Sequence, residues 1–523
     1  MTKLTIDNQP IDVPAGTTVL QAARQLGIDI PTLCYLEGRP AINSCMVCLV
    51  KVNGGDTLLP SCGLIAQESM VVESQTDQVI RARRAALELL LSDHLGDCIG
   101  PCQMICPANM NIPLMIRQVA TGRPERAIET IKCDIAIPAV LGRICPAPCE
   151  KGCRRRQADS PVSICLLKRY AADADLSAKR PYRPDCAESI GKAVAIVGAG
   201  PAGISAAYYL ARAGHACTVF DAQDVPGGAL RSAVSHDRLP PEVLQGEIDL
   251  ICELSVTVRS GCRVGEDVSL DDLQRDFDAV LLATGRIDQA SANRLGAAWR
   301  DGRVCADNRT YRTETSDIFA AGGAIRPKSK LAVRSAADGK EAAICIDQYL
   351  RGREVTGPDR PFNVRIGRLL AGEIDQFLNL ASRSGRVEPS IHADGFTSDQ
   401  ARAESLRCLH CDCRKADSCR LREHCQALGA NPDRYKSSRR GFVQNTQHPD
   451  VIYEPGKCIK CGICVRLASE HREPLGLTFI GRGFDVRVGA PMNRSLSEAL
   501  TKAATACVRA CPTGALAFRD DRD

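Results

Sequence analysis

The stretch KAVAIVGAGPAGISAAYYLARAGHACTVFD, residues 192–221, decides the fold of the middle of the chain. The segment KAVAIV, residues 192–197, contains a continuous apolar run from Ala193 that is typical of a buried strand, and the glycine-rich turn GAGPAG follows at 198–203. The next residues have the apolar face of a helix, and a second strand ends at Asp221. Strand, glycine turn, helix and acidic residue in this order predict a doubly wound α/β domain that binds a dinucleotide.

Each glycine of this turn has a predicted task. Gly198 permits the tight turn, Gly200 lets the backbone approach a pyrophosphate, and Gly203 allows close packing of the helix. Pro201 lies inside the turn and is included in the predicted cofactor site. Asp221 is placed to accept a hydrogen bond from a ribose hydroxyl.

Length and composition exclude several classes of protein. A chain of 523 residues is too long for one ordinary core, so we expect several domains. The net charge of +5 is small for this length, and no basic run is interleaved with aromatic residues, so a nucleic-acid partner is not expected. The N-terminus is polar and no stretch of about 18 apolar residues occurs, which predicts a cytoplasmic protein with no membrane span.

Cysteine is the conspicuous residue type, because the chain has 28 and most stand in tight groups. In a long chain without a signal peptide, such grouping favours metal ligation over disulfides. The sequence shows no Ser/His/Asp triad, phosphate-binding loop of the NTPase type or paired carboxylates, so no catalytic residue is predicted.

The first group lies in residues 1–77, which begin with an alternating hairpin pattern followed by a helical one. Its cysteines have the spacing C-x10-C-x2-C-x13-C and are Cys34, Cys45, Cys48 and Cys62. With SCMVCLVKV at its centre, this spacing resembles the 2Fe-2S domain of the large iron-sulfur subunit of complex I and related hydrogenases. That resemblance implies a 2Fe-2S cluster; four thiolates also suit zinc, which remains the alternative.

The second group lies in residues 78–180, within DHLGDCIGPCQMICPANMNIP (93–113), LGRICPAPCEKGCRRR (141–156) and SPVSICLLKRY (160–170). These segments resemble the helical domain of the glutamate synthase small subunit and dihydropyrimidine dehydrogenase, which holds two 4Fe-4S clusters. The resemblance implies one ligand set of His94, Cys98, Cys102 and Cys153. It implies a second set of Cys106, Cys145 and Cys149.

Two positions of this block depart from the family. The family's first cysteine falls at His94, whose H-x3-C arrangement also resembles the His-ligated cluster of the complex I subunit; a solvated helix-end histidine is the alternative. The usual carboxylate or amide ligand falls at Lys168, which cannot ligate while protonated. We expect Cys165 to replace it.

The dinucleotide domain, predicted for residues 190–355, carries further segments of the glutamate synthase small-subunit family. They are PGGALR (226–231), RLPPEV (238–243), DAVLLATG (278–285) and TSDIFAAGGA (315–324). This resemblance implies FAD, bound with the help of Gly227, Gly228, Arg231, Gly285 and Gly322. The family's aspartate after FAAG is replaced by Gly323 here.

The NADPH domain of that family has no counterpart in the sequence. About thirty residues separate Gly285 from Ser316, far fewer than a domain needs, and no second GxGxxG motif is present. We therefore do not expect this chain to take a hydride from NAD(P)H by the family's route.

The remaining cysteines lie in a helical connector, residues 356–440, and a ferredoxin-like domain, residues 441–523. The connector segment SLRCLHCDCRKADSCRLREHC predicts a 4Fe-4S site from Cys408, Cys411, Cys413 and Cys419, with zinc as the alternative. The last domain predicts a 4Fe-4S site from Cys458, Cys461, Cys464 and Cys511, with Cys507 left over. GLTFIGRGFDVRV (476–488) resembles the iron-sulfur subunits of formate dehydrogenases and complex I relatives.

The overall prediction is a multidomain α+β and α/β protein with FAD, one 2Fe-2S cluster and three to four 4Fe-4S clusters. The hybrid resemblance implies an electron-transfer subunit of a larger oxidoreductase, whose partner is a hydrogenase, a formate dehydrogenase or a complex I-like flavoprotein. Two alternatives stay open: a glutamate synthase small-chain-like NAD(P)H oxidoreductase, and a metal-binding scaffold with a vestigial flavin fold.

Overall fold

The alternating residues at the N-terminus form a hairpin, because both turn residues, Asp7 and Asn8, adopt positive φ angles of 47° and 66°. The computed structural model describes residues 1–389, 391 and 394–519. Its first sheet is mixed, with the strand order β2-β1-β5-β3-β4. The strands are β1 (Thr2–Ile6), β2 (Gln9–Val13), β3 (Leu49–Val52), β4 (Leu58–Pro60) and β5 (Met70–Glu73).

Two helices accompany this sheet. Helix α1 (Val19–Gln25) begins at a capping box, in which the Thr18 hydroxyl accepts from the Gln21 N–H at 3.2 Å. Helix α2 (Asp77–Leu91) begins after Thr76, whose hydroxyl accepts from the Val79 N–H. Helix α2 brings the chain to the second group of cysteines.

A helical region follows, and proline stands in the first turn of five of its helices, where its missing N–H costs nothing. The helices are α3 (Pro101–Ile105), α4 (Ile112–Ala120), α5 (Pro124–Lys132), α6 (Pro138–Ile144), α7 (Pro148–Lys151) and α8 (Ile164–Leu176). Helices α3 and α6 end directly before Cys106 and Cys145, so both cysteines lie where a helix turns into extended chain.

The stretch at 192–221 forms the predicted strand, turn, helix and strand. The strands of the sheet run parallel in the order β12-β9-β6-β7-β8, as in a doubly wound fold. They are β6 (Ala193–Val197), β7 (Ala216–Phe220), β8 (Val256–Arg259), β9 (Ala279–Leu282) and β12 (Ile318–Ala320). The small hairpin β10 (Trp299–Arg300) and β11 (Arg303–Val304) lies between β9 and β12.

The helices of this region connect and cover the parallel strands. They are α9 (Pro201–Arg212), α10 (Ala229–Ser232), α11 (Pro241–Cys252), α12 (Leu270–Asp276), α13 (Gln289–Arg294) and α14 (Ala332–Leu350). The segment between β9 and β12, where a second dinucleotide domain would stand in the glutamate synthase family, contains α13 and the hairpin.

Short helices and two small two-stranded sheets complete the described part of the chain. The helices are α15 (Glu373–Leu378), α16 (Ser398–Ser405), α17 (Arg420–Ala427), α18 (Ile463–Glu470), α19 (Leu496–Ala499) and α20 (Ala504–Ala510). Strand β13 (Val451–Tyr453) pairs with β16 (Leu516–Phe518), and β14 (Thr478–Ile480) pairs with β15 (Arg487–Gly489), both antiparallel.

These elements form two units, each with its own core. Unit 1 consists of residues 1–99, 361–380 and 410–523, and unit 2 consists of residues 100–360 and 381–409. Apolar residues of the helical region and of the parallel sheet share one core in unit 2. The five predicted domains follow one another along the chain, whereas each unit is assembled from separate segments. The expected mixture of α+β and α/β architecture is confirmed.

None of the helices in the described part of the chain combines the length and the apolar character that a membrane crossing requires.

Candidate metal and dinucleotide sites

Four thiols of unit 1 converge between loops of the N-terminal sheet. Cys34, Cys45, Cys48 and Cys62 are all buried, and the sulfurs of Cys34 and Cys45 lie 3.4 Å apart. Side-chain hydrogen bonds also join Cys62 to Cys34 and to Cys48. The structure therefore brings together the complete set that the sequence proposed.

Hydrogen bonds among these four thiols shift their pKa values in opposite directions. Bonds from Cys45 and Cys62 hold the pKa of Cys34 far below its usual range, and a bond from Cys62 lowers the pKa of Cys48 to about 7. The pKa values of Cys45 and Cys62 rise correspondingly. Four buried sulfurs that converge on one place fit a 2Fe-2S group, which cysteines bind in the thiolate form.

A buried arginine that sequence reasoning missed lies beside this group. Arg83, on α2, is 2% exposed, and its Nε donates to the Leu49 carbonyl at 3.0 Å. Burial lowers its pKa to about 10, while the neighbouring Cys48 acts in the opposite direction. The only sequence signal was an arginine on the apolar side of an amphipathic helix.

A cavity of about 290 Å³ in unit 1 is lined by His94, Cys98, Cys413 and Cys419. The His94 Nδ1 atom is buried and has no hydrogen-bond partner among the residues that the structure describes, which differs from the solvated histidine of the alternative interpretation. Burial and the charge of Lys457 lower the pKa of His94 to about 4. The imidazole is therefore neutral at pH 7, which is the form that binds metals.

This grouping differs from both sets expected from the sequence. His94 and Cys98 were expected with Cys102 and Cys153, and Cys413 and Cys419 with Cys408 and Cys411. The structure places Cys102, Cys153 and Cys408 in unit 2 and the four cavity-lining residues in unit 1. The reason is topological: two of the boundaries between the units fall after Ile99 and before His410, so neighbours in sequence become members of different units.

The largest group of thiols in unit 2 surrounds a lysine. Cys145 and Cys165 share a hydrogen bond that lowers the pKa of Cys145 to about 6, and Cys106 and Cys149 lie close enough to interact with both Cys145 and Lys168. Burial disfavours the charged form of Lys168, but the thiols, Cys165 foremost, raise its pKa above the ordinary value. Cys165 thus stands with the three cysteines that the sequence assigned to one cluster.

Three further cysteines of the predicted ligand sets lie in unit 2. Cys102, Cys153 and Cys408 are half-buried against its core. The Cys153 sulfur accepts from the backbone N–H groups of Val162 and Arg155. Arg155 in turn donates to the Arg407 carbonyl at 2.7 Å, which connects the backbone next to Cys153 with that next to Cys408. Cys411 lies within unit 1.

The C-terminal cysteines line another cavity, of about 350 Å³, in unit 1. Its wall is formed in part by Tyr453 of β13 and Leu516 of β16, together with the four cysteines Cys458, Cys461, Cys464 and Cys511. Burial raises the pKa of Cys458 to about 11 and that of Cys461 to about 12. Cys507 is fully buried outside this lining, with its sulfur 3.6 Å from the Cys464 carbonyl oxygen. Four converging sulfurs fit a 4Fe-4S group.

In residues 1–389, 391 and 394–519, no three His, Cys, Asp or Glu side chains are placed to bind a single metal ion.

The glycine turn has the close contacts that the sequence predicted. Gly198 has a φ of 110°, and a side chain at Gly203 would begin 1.9 Å from the Gly198 carbonyl oxygen. Gly200 stands directly before α9, so the N-terminus of this twelve-residue helix points to the turn. These features fit a dinucleotide pyrophosphate.

Asp221 has a structural task in addition to the predicted one. Its Oδ2 accepts from the Ala199 N–H at 2.6 Å, and its Oδ1 accepts from the Gln223 N–H at 2.8 Å. The carboxylate therefore fixes the glycine turn to the end of β7. Each carboxylate oxygen retains a second lone pair for a ribose hydroxyl.

The other predicted cofactor residues lie at the same end of the parallel sheet. Gly228 approaches Gly200, with 3.0 Å between the Gly200 Cα and the place of a Gly228 side chain. Gly285 follows β9 and Gly322 follows β12. Arg231 is engaged within the chain, since it donates to the Pro226 carbonyl and to Gln245 at 3.1 and 3.0 Å.

Three family models match the chain. Residues 1–77 match a 2Fe-2S iron-sulfur cluster binding domain. Residues 95–180 match domain II of dihydropyrimidine dehydrogenase, described as a 4Fe-4S cluster domain. Residues 196–248 match an NAD(P)-binding Rossmann-like domain.

Several characterised proteins are similar to part of the chain. The beta subunit of an NADP(+)-dependent formate dehydrogenase of Moorella thermoacetica is 42% identical over 223 residues, which cover 39% of this chain and 31% of that protein. The beta subunit of an NADPH-Fe(3+) oxidoreductase of Geobacter sulfurreducens is 40% identical over 36% of this chain and 28% of its own. The dihydropyrimidine dehydrogenase subunit PreT of Salmonella typhimurium is 38% identical over 36% and 45%.

The chain thus spans less than half of the length of each of these relatives. The matches confirm the expected 2Fe-2S domain, the expected helical 4Fe-4S domain and the expected Rossmann-like fold. This chain combines a 2Fe-2S cluster domain, a 4Fe-4S domain of the dihydropyrimidine dehydrogenase type and a nucleotide-binding Rossmann-like domain.

Proposed function

We propose that this chain is an electron-transfer subunit of a larger oxidoreductase, which passes electrons between iron-sulfur clusters and a bound FAD. The observation that carries the proposal is the convergence of cysteines into separate buried groups in both units, around a fold that suits a dinucleotide. Iron-sulfur clusters are one-electron carriers, and the chain offers several ligand sets for them.

The proposed ligand sets follow the groups in the structure. Cys34, Cys45, Cys48 and Cys62 hold the 2Fe-2S cluster. Three proposed 4Fe-4S sets are complete: His94, Cys98, Cys413 and Cys419; Cys106, Cys145, Cys149 and Cys165; and Cys458, Cys461, Cys464 and Cys511. A fourth proposed set includes Cys102, Cys153 and Cys408. Cys411, which lies in unit 1, is also expected to ligate iron. Clusters ligated by thiolates belong in a reducing compartment, which supports a cytoplasmic location.

FAD is the proposed dinucleotide, although the matching family model is described as NAD(P)-binding. Its support is the series of segments around Gly227, Gly285 and Gly322, which resemble a flavoprotein family and come together at one end of the sheet. A hydride donor would have to lie against the flavin ring, and α13 with the small hairpin is all that stands between β9 and β12. Electrons therefore reach the flavin through clusters or a partner.

The proposed partner is the catalytic or nucleotide-oxidising subunit of such an assembly. The chain is similar to beta subunits of two oxidoreductases. One is named as an NADP(+)-dependent formate dehydrogenase and the other as an NADPH-Fe(3+) oxidoreductase. A formate dehydrogenase, a hydrogenase or a complex I-like flavoprotein fits this role.

The test is anaerobic reduction of the purified, reconstituted full chain, followed in a stopped-flow spectrometer. Dithionite should bleach the flavin and the clusters, whereas NADH and NADPH should leave both oxidised. The FAD assignment is checked by the flavin absorbance of the untreated chain. The flavin is then released by denaturation and identified by chromatography. Rapid bleaching by NADPH would overturn the proposal in favour of the glutamate synthase-like alternative.

A further inference from the structure

Lys168 is buried among the thiols of the largest group in unit 2. It stands on α8 one helical turn after Cys165, so both side chains project from the same side of the helix. Only 5% of Lys168 is exposed. A buried lysine needs a compensating partner, because leaving an ammonium group uncompensated in a low dielectric is costly.

The side chains of Lys168 and Cys165 both contact the last turn of α6. The Lys168 Nζ donates to the Leu141 carbonyl at 3.2 Å, and the Cys165 sulfur lies 3.5 Å from the same oxygen and 3.6 Å from the Gly142 oxygen. Helix α6 ends directly before Cys145. The ammonium group therefore has a fixed position beside the sulfurs.

The sulfurs are the available counter-charge. Other buried cations of unit 2 have carboxylate partners: Lys132 pairs with Asp175 at 2.9 Å, and Arg407 pairs with Glu404 at 2.8 Å. No carboxylate within the described residues lies at ion-pair distance from Lys168. The acidic groups that interact with it are Cys106, Cys145, Cys149 and Cys165.

We propose that Lys168 compensates the charge of the 4Fe-4S cluster held by these four cysteines and raises its reduction potential. This inference rests on the ligand set given under the proposed function. Reduction adds one negative charge to a cluster, and a fixed positive charge nearby stabilises the reduced state more than the oxidised state. Lys168 is thus a positioning and tuning residue, while Cys165 supplies the fourth sulfur.

The experiment is an anaerobic potentiometric titration of the reconstituted full chain, monitored by EPR, with iron content measured on the same samples. The variants are Lys168→Met, which removes the charge at similar length, and Lys168→Arg, which keeps it. In Lys168→Met we expect the midpoint of one 4Fe-4S signal to move to lower potential, or about four iron atoms to be lost. The other signals should stay unchanged, and Lys168→Arg should restore the wild-type behaviour.

The inference is overturned if Lys168→Met leaves every midpoint and the iron content unchanged, if a midpoint rises, or if Lys168→Arg behaves like Lys168→Met. The wild-type chain separates this result from a failure of the proposed function. A wild-type chain without 4Fe-4S signals would contradict the proposed function, whereas normal wild-type signals with unaltered variants would contradict only the role of Lys168.

Discussion

At the scale of single residues, the N-terminal group of four thiols gives the simplest prediction. Substitution Cys45→Ser removes one ligand from a set that lies within the small N-terminal sheet, so the 2Fe-2S EPR signal should disappear while the 4Fe-4S signals persist. Cys507→Ser is the matched control, because Cys507 is equally buried but stands outside every proposed ligand set. Loss of all signals in Cys45→Ser would show that the sites are not independent.

Variants of the residues that line the cavity with His94 distinguish the ligand grouping seen in the structure from the grouping expected from the sequence. Replacing His94 by Cys puts a thiolate in place of an imidazole and should lower the midpoint of one 4Fe-4S cluster, which marks that cluster. A second change, Cys413→Ser, should abolish the marked signal, whereas Cys102→Ser should leave it intact and abolish another. If the results of the two serine variants are exchanged, the grouping by spacing is right.

At the scale of elements, one ion pair fastens α15 to the segment that leads into the last domain. Glu373, at the start of α15, receives two N–H groups of Arg439 at 2.5 and 2.7 Å and the backbone N–H of Phe442 at 2.7 Å. These hydrogen bonds, that of Arg439 foremost, lower the pKa of Glu373 to about 2. The pair is largely shielded from solvent, which limits screening by salt.

The pKa of Glu373 predicts how stability depends on pH. Because the folded pKa lies below the value of about 4.3 expected in the unfolded chain, the stabilisation is complete above about pH 5 and falls as the pH drops towards 2. Substitution Glu373→Gln should cost about 2 kcal/mol at pH 7 in denaturant unfolding. The difference from wild type should shrink by roughly half at about pH 3. An equal difference at both pH values would contradict the assignment.

Helix α9 gives a second prediction at this scale. Substitution Gly203→Val places a side chain 1.9 Å from the Gly198 carbonyl oxygen, which must displace the turn that faces the pyrophosphate. We expect loss of the bound flavin with the iron content retained. Gly246→Ala on α11 is the control, because the nearest atom to a new side chain there is 3.8 Å away. Flavin release on denaturation and iron analysis measure both.

At the scale of the whole molecule, the ligand groups together predict a metal content. One 2Fe-2S and four 4Fe-4S clusters correspond to about 18 iron atoms per chain after anaerobic reconstitution. Iron and zinc are measured together by mass spectrometry on the purified chain. About two iron atoms with stoichiometric zinc would support the metal-binding scaffold instead.

Local sequence patterns were sufficient to predict much of the fold and two of the cysteine groups. The strand, glycine turn and helix at 192–221 depend on contacts between near neighbours, so the sequence predicted the parallel sheet and the turn that follows β6. The convergence of Cys34, Cys45, Cys48 and Cys62, and that of the four C-terminal cysteines, also followed from spacing. Each of these sets lies within a single unit.

The pairing of distant cysteines was decided by tertiary structure alone. Spacing joins residues that are close along the chain, but boundaries between the units fall after Ile99 and before His410, and the fold of unit 1 places His94 and Cys98 in one cavity lining with Cys413 and Cys419. The burial of Lys168 beside four thiols has the same origin, because it requires α6 and α8 to pack together. The sequence determined which residue types are present and which short segments they occupy; the long-range packing determined which of them meet.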